Sequence, residues 1–110
     1  MSELLAMTAL DLLRSYAKRR ISPVDVVEAA LDRISRVNPS LNIFYLVDAE
    51  SATAAAKLSE RRWREGRPLG LLDGIPTGVK DALSLQGTPI YRGSAAFDPR
   101  ATISDGDAPC

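Results

Sequence analysis

Residues 74–81 read Gly74-Ile75-Pro76-Thr77-Gly78-Val79-Lys80-Asp81, a short apolar run that is bounded by glycine and proline and ends in a lysine. The run predicts a strand over about 75–80. A lysine at this position is directed into or across the end of a sheet, where desolvation disfavours the ammonium ion and lowers its pKa. Lys80 is therefore a candidate base. Asp81 has the opposite effect if its carboxylate lies close, and the sequence leaves both outcomes open.

Amphipathic patterns with start and stop signals precede this run. Thr8, Ser22 and Asp48 are each suited to cap the N-terminus of a helix. The second helix is expected to stop before Asn38-Pro39, because the residue that precedes a proline avoids helical geometry, and Gly66 is expected to end the third. The predicted helices cover about 8–19, 22–37 and 48–65.

A change of period separates the second and third helices. Ile43-Phe44-Tyr45-Leu46-Val47 is an apolar run rich in β-branched and aromatic residues, and it is too short to form a helix by itself. It predicts a buried strand over about 42–47. Two leading helices followed by alternating strands and helices indicate an α/β fold.

Composition narrows the possible chemistry. The 110 residues include 14 Lys+Arg and 14 Asp+Glu, so the formal net charge is zero and no net basic field favours nucleic acid or an anionic membrane. Because histidine is absent, no imidazole base or metal ligand comes from these residues. The single cysteine, Cys110, fits a reducing compartment. Without a signal-peptide pattern or an apolar run near ~20 residues, the chain is expected to be soluble and cytoplasmic.

The run at 74–81 is followed by Gly87-Thr88-Pro89 and Gly93-Ser94, and it is preceded by Leu41-Asn42 and Asp48-Ala49-Glu50. In this order and spacing, the motifs resemble the N-terminal portion of the amidase signature enzymes, and the similarity runs from about 21 to 110. Departures are Leu71-Leu72-Asp73, where the family commonly has a different loop sequence, and Ala82, where asparagine is usual.

The resemblance implies a mixed-sheet α/β domain of several hundred residues that cleaves or transfers at a carboxamide C–N bond. The family uses a Ser-Ser-Lys triad without a metal or cofactor, and Lys80 occupies the lysine position. The two serines belong to a Gly/Ser-rich segment that is absent from these 110 residues. We therefore expect residues 1–110 to be the incomplete N-terminal part of one amidase domain, inactive by themselves. The expected partner of the whole enzyme is a small-molecule amide, with no direct contact to nucleic acid or membrane and with a possible homo-oligomeric state.

Two alternatives to a simple hydrolase remain open. One is the amidotransferase subunit that releases ammonia from glutamine for transamidation of mischarged tRNA. The other is a short interaction module without catalytic activity, whose helices pair with another chain.

Other candidate site residues have simpler interpretations. Thr77 and Lys80 have the spacing of the Ser-Lys dyad of penicillin-recognising enzymes, but that dyad requires a helical turn that a strand does not provide. Asp73-Gly74 is first of all a turn signal, and Trp63 is interpreted as a packing residue. Lys18 and Lys57 are predicted to be ordinary surface residues on helices. The remaining hydroxyls and carboxylates are interpreted as turn residues or as an incomplete cation loop: Ser84, Ser94, Asp98, Asp105 and Asp107.

Overall fold

The computed structural model describes residues 2–79, which contain four α-helices: α1 (Ser2–Ala6), α2 (Ala9–Ala17), α3 (Pro23–Leu41) and α4 (Ala49–Arg64). The helices belong to one compact unit, Met1–Pro76, and a second unit begins at Thr77. Residues 2–79 contain no strand, so the mixed sheet predicted from the alternating pattern is not supported there. The described part of the chain is helical.

Side chains just before α2 and α3 satisfy the free amides at their N-termini. Thr8 Oγ1 accepts a hydrogen bond from the Asp11 N–H at 3.1 Å. Ser22 Oγ accepts from the Val24 N–H at 2.9 Å, and the Asp25 carboxylate accepts from the Ser22 N–H at 3.0 Å. This reciprocal arrangement is a capping box. Both helices therefore begin where the sequence places a hydroxyl cap.

Helix α4 is preceded by a side-chain cap, Asp48, and followed by a glycine, Gly66. The Asp48 carboxylate accepts from the Ser51 N–H at 3.1 Å, and this hydrogen bond lowers the pKa of Asp48. At the other end, Gly66 has a φ of +70°, and the Arg67 N–H donates to the Arg62 carbonyl at 2.8 Å. A glycine in the left-handed region is a common way for a helix to terminate.

Helix α3 extends beyond its predicted end and contains Pro39. The expected stop before Asn38-Pro39 is wrong because other contacts stabilise the last turn. The Asn42 N–H donates to the Asn38 carbonyl at 2.7 Å, and Asn42 closes the helix with a φ of +51°. The Asn38 side chain accepts from the Phe44 N–H at 2.8 Å and donates to the Phe44 carbonyl at 2.9 Å.

The segment after α3 is irregular, so the buried strand predicted over 42–47 is not formed. Ile43, Leu46 and Val47 are 63%, 45% and 42% exposed. A strand requires a neighbour for its backbone groups, and residues 2–79 supply none, while Asn38 already bonds both backbone groups of Phe44. The predicted strand over 75–80 is likewise irregular in its described portion, residues 75–79.

The core of the helical unit is formed by α2, α3 and α4. Leu12, Tyr16 and Val26 are buried, and the half-buried Trp63 and Ile75 pack against them. The Tyr16 and Trp63 rings are tilted by 56° with their centroids 5.8 Å apart, a favourable arrangement for an aromatic pair. The interpretation of Trp63 as a packing residue is confirmed, and Ile75 ties the chain after α4 to the helices.

In the portion described here, no helix combines the length and the apolar character that a membrane crossing requires.

Candidate functional site

Lys80, the predicted catalytic residue, directly follows Val79 and lies outside the described residues. Lys18 and Lys57 are exposed, as expected for surface lysines. The described part of the chain therefore ends one residue before Lys80. The other downstream candidates also lie outside the described residues: Ser84, Ser94, Asp98, Asp105 and Asp107.

Asp73 lies seven positions before Lys80 in the sequence. Its carboxylate is almost fully buried, with 4% of the side chain exposed. Arg62 donates to it twice, from Nε at 2.7 Å and from Nη2 at 2.6 Å. Ser59 Oγ donates at 2.8 Å, and the Leu69 N–H donates at 2.9 Å. Four hydrogen bonds thus hold both carboxylate oxygens, and the paired geometry of the guanidinium fixes the carboxylate plane.

These contacts keep Asp73 ionised. The hydrogen bonds from Arg62 are the largest cause that lowers its pKa to about 2, and the Leu69 and Ser59 donors act in the same direction against the opposing effect of burial. The carboxylate is therefore charged at any pH at which the protein is normally handled. A buried charge of this kind requires its partner, because removing one member of such a pair leaves the other uncompensated.

Gly74 lies where three helices converge. A Cβ atom built at this position would lie 2.8 Å from Ser59 Oγ, 2.9 Å from Pro23 Cγ and 3.0 Å from Tyr16 Cε2, and the φ of Gly74 is +91°. Glycine is the residue that combines this backbone conformation with such close neighbours.

Two aromatic donors bind consecutive carbonyls at the same point. Trp63 Nε1 donates to the Asp73 carbonyl at 3.0 Å, and the Tyr16 hydroxyl donates to the Gly74 carbonyl at 2.8 Å. Burial raises the pKa of Tyr16 to about 12, with a smaller contribution from the charge of Asp25. The hydroxyl therefore keeps its proton and remains a donor. We refer to the following six residues as the anchor: Tyr16, Ser59, Arg62, Trp63, Asp73 and Gly74.

The anchor has no free reactive group. The Ser59 hydroxyl donates to an ionised carboxylate, and that carboxylate is occupied by donors on both oxygens. An activated serine would instead need a base to accept its proton. The polar groups of the anchor are therefore engaged with one another, and they hold the chain at residues 73 and 74.

A polar hollow of about 180 Å³ lies beside the anchor. Ser22 Oγ donates to Glu60 Oε2 there, and Arg64 pairs with Glu60 Oε1 at 2.7 Å. Arg19 donates to the Arg64 carbonyl at 2.8 Å. Since these groups satisfy one another, the hollow offers no unpaired buried charge. Within residues 2–79, no group of three or more potential ligand side chains could hold a metal ion.

Sequence reasoning identified Asp73-Gly74 as a turn, and residues 71–74 do form one. It missed the partners of this turn. Arg62 and Asp73 are 11 residues apart, and Tyr16 and Gly74 are 58 residues apart. A carboxylate between glycines and an arginine-rich helix end were visible in the sequence, but neither pattern specifies a pairing at such separations.

Three comparisons with known proteins place the chain in a family. The model of the Amidase family matches residues 25–108. The A-type subunit of the glutamyl-tRNA(Gln) amidotransferase from Acidothermus cellulolyticus is 39% identical over 98 residues, which are 89% of this chain and 19% of the relative. Its counterpart from Cutibacterium acnes is 42% identical over 87 residues, or 79% of this chain and 17% of the relative. The chain thus spans about a fifth of the length of these relatives.

The fold comparison agrees with the sequence comparison. The crystal structure of a bacterial aryl acylamidase, described as an amidase signature enzyme, superposes on 93% of this chain with a TM-score of 0.83 and 30% sequence identity, and the match covers 21% of that enzyme. The matched range of the family model includes the anchor from Ser59 onward and continues through residues 74–81. The chain belongs to the amidase signature family.

Proposed function

We propose that this chain supplies the proton-handling amine, Lys80, of a Ser-Ser-Lys centre that cleaves carboxamide C–N bonds. The observation that carries the proposal is the family match over residues 25–108, which includes the Gly-Ile-Pro-Thr-Gly-Val-Lys-Asp run at 74–81. A lysine can activate a serine near neutral pH when its surroundings lower its pKa, and Lys80 is the lysine of this run.

In the proposed reaction, the neutral amine of Lys80 accepts a proton through the bridging serine as the nucleophilic serine attacks the carbonyl carbon. The C–N bond then breaks, the nitrogen leaves with the proton, and an acyl-serine remains. A water molecule then attacks the acyl-serine and gives a proton to the amine of Lys80, and the serine oxygen takes that proton back as its bond to the acyl carbon breaks and the acid is released. Both serines come from polypeptide other than these 110 residues, so we propose that residues 1–110 alone do not turn over amides.

For the whole enzyme, we propose a small-molecule amide as substrate, with neither nucleic acid nor membrane in direct contact with the site. A cytoplasmic location and a homo-oligomeric state belong to the same proposal. The reported aryl acylamidase supports a simple amide as the substrate class, because its fold matches almost the whole of this chain.

A second candidate is an amidotransferase subunit that releases ammonia from glutamine. It is supported by the sequence relatives, because the similar curated proteins from Acidothermus cellulolyticus and Cutibacterium acnes are both A-type subunits of glutamyl-tRNA(Gln) amidotransferases. A full-length enzyme that contains this sequence should be assayed on glutamine with partner subunits and on simple aryl amides. Activity on glutamine that depends on partner subunits favours the amidotransferase, and activity on aryl amides without them favours the hydrolase.

The test of Lys80 uses a chimera. Residues 1–110, which include Tyr16 of the anchor, replace the matching part of the bacterial aryl acylamidase, and release of the arylamine is measured. We expect Lys80→Ala to lower kcat by on the order of a thousandfold or more, since members of such a triad act as a unit. Lys57→Ala, on the exposed surface of α4, should leave kcat unchanged.

Two results would contradict the proposal. Turnover that survives Lys80→Ala would remove the amine from the mechanism. Turnover by the purified 110-residue chain would show that the reaction needs no serines from elsewhere.

A further inference from the structure

We infer that the anchor positions Lys80, and that Asp73 and Arg62 are positioning residues for the reaction proposed above. The inference rests on that proposed function. The two residues would not touch the substrate. They would act by fixing the backbone at residues 73–76, which precede the lysine in the sequence.

The first step is that the chain is held at consecutive residues by different helices. Asp73 is bound through its side chain by Ser59 and Arg62 of α4, and its carbonyl accepts from Trp63 of the same helix. The next carbonyl, that of Gly74, accepts from Tyr16 of α2. Two successive peptide groups are therefore fixed against two helices, which restricts both the position and the direction of the chain.

The restraint continues for a short distance toward the lysine. The Ile75 N–H donates to the Leu72 carbonyl at 3.1 Å, and the half-buried Ile75 side chain packs against the core of Leu12, Tyr16 and Val26. Pro76, which follows, has a fixed φ. The anchor thus determines the path of the backbone through Pro76, four residues before Lys80.

Distance explains why this matters for catalysis. Lys80 is the sixth residue after Gly74, and six residues can extend over about 20 Å. A base must reach its proton donor within about 2.6–3.2 Å, and a misplacement of about 1 Å can cost on the order of a hundredfold in rate. When the backbone is fixed at residues 73–76, Lys80 can sample a smaller set of positions than it could on a freely moving chain.

A substitution of Asp73 weakens the hydrogen bonds of the anchor and leaves the helices themselves unchanged in sequence. Asparagine has the same shape, but in either orientation its NH₂ group would face a nitrogen of the Arg62 guanidinium, so that a donor opposes a donor. Arg62→Gln removes the paired donors, whereas Arg62→Lys keeps a cation that can make one of the two bonds. The three variants, Asp73→Asn, Arg62→Gln and Arg62→Lys, differ in how many of the hydrogen bonds between Arg62 and Asp73 they retain.

The first test uses the full 110-residue chain and measures backbone amide exchange by NMR. Asp73→Asn should speed exchange of the Ile75 amide at least tenfold, with little change for amides in the middle of α3, such as Ala29. Arg36→Gln, which breaks the exposed Arg36–Asp32 pair, is the matched control and should leave Ile75 unchanged. Unchanged exchange at Ile75 in Asp73→Asn, or an equal acceleration throughout α3, would overturn the inference, because the anchor would then be inert or merely stabilising.

The second test measures kcat and KM separately in the chimera with the aryl acylamidase. A positioning role predicts that Asp73→Asn lowers kcat about a hundredfold and leaves KM within about threefold, because substrate contacts are intact while the base is displaced. Arg62→Lys should recover more of kcat than Arg62→Gln, at equal folded fraction by circular dichroism. Equal losses in the two Arg62 variants, or a change in KM alone, would contradict positioning.

The two proposals fail in different ways. Activity that survives Lys80→Ala defeats the proposed function. Activity that is lost in Lys80→Ala but unaffected by Asp73→Asn leaves the proposed function standing and defeats the positioning role.

Discussion

Replacing Gly74 with alanine measures how tightly the three helices enclose the chain at that residue. The new Cβ would lie 2.8 Å from Ser59 Oγ, 2.9 Å from Pro23 Cγ and 3.0 Å from Tyr16 Cε2. The Ser59 hydroxyl cannot rotate away without losing its bond to Asp73, and the Pro23 ring is fixed at the start of α3. The neighbours therefore cannot make room cheaply.

The magnitude has two parts. Holding alanine at the φ of +91° costs about 1–3 kcal/mol of backbone strain. Forcing a methyl group into a filled site costs about 1–3 kcal/mol more. We expect Gly74→Ala to lower the free energy of unfolding by about 3 kcal/mol, since some relaxation will relieve both.

Two glycines in the preceding loop, Gly66 and Gly70, are matched controls. Gly66 has a φ of +70° with nothing within 4 Å of an added Cβ, so Gly66→Ala isolates backbone strain and should cost about 1 kcal/mol. Gly70 has open space and no positive φ, so Gly70→Ala should be neutral or stabilising by up to about 1 kcal/mol. Urea unfolding of the 110-residue chain, followed by far-UV circular dichroism, gives the three values. If Gly74→Ala were no more destabilising than Gly66→Ala, the enclosure of Gly74 would be refuted.

Two further predictions concern the same region. Tyr16→Phe leaves the Gly74 carbonyl without its donor and should lower the free energy of unfolding by about 1–3 kcal/mol in urea titrations; an unchanged midpoint would mean that water replaces the hydroxyl at no cost. Because the pKa of Asp73 falls from 3.8 to about 2 on folding, its contribution of roughly 2 kcal/mol is complete above about pH 5 and is lost as the pH falls toward 2. Arg62→Gln should flatten this part of the stability–pH curve, and a curve of unchanged slope would show that other carboxyl groups cause the acid sensitivity.

Three of the four described helices, α2, α3 and α4, could be predicted from the sequence because their signals are local, whereas the five-residue α1 was not predicted. Thr8, Ser22 and Asp48 are each followed within three residues by the amide that they cap. The end of α3 could not be predicted in the same way. Asn38 bonds both backbone groups of Phe44 and so holds the chain after a proline that would otherwise end the helix.

The strand prediction over 42–47 failed for a different physical reason. A run of β-branched and aromatic residues indicates suitability for a sheet, but a strand exists only where another strand bonds its backbone. The anchor could not be predicted from local sequence patterns either, since Tyr16 and Gly74 are 58 residues apart in the chain. The Gly-Pro motif that leads to Lys80 could be identified from sequence, whereas the groups that hold its first residue required the fold.

The convergence of α2, α3 and α4 on Gly74 has a consequence for sequence variation. Tyr16, Pro23 and Ser59 bound one small space from three directions, so a change in the volume of any one of them alters what the other two can tolerate. Substitutions at these positions should be energetically coupled even though the positions are far apart in the chain. A divergent homologue that carries a larger residue in place of Gly74 would need compensating reductions in volume at more than one of these sites, which makes the position hard to vary by single evolutionary steps.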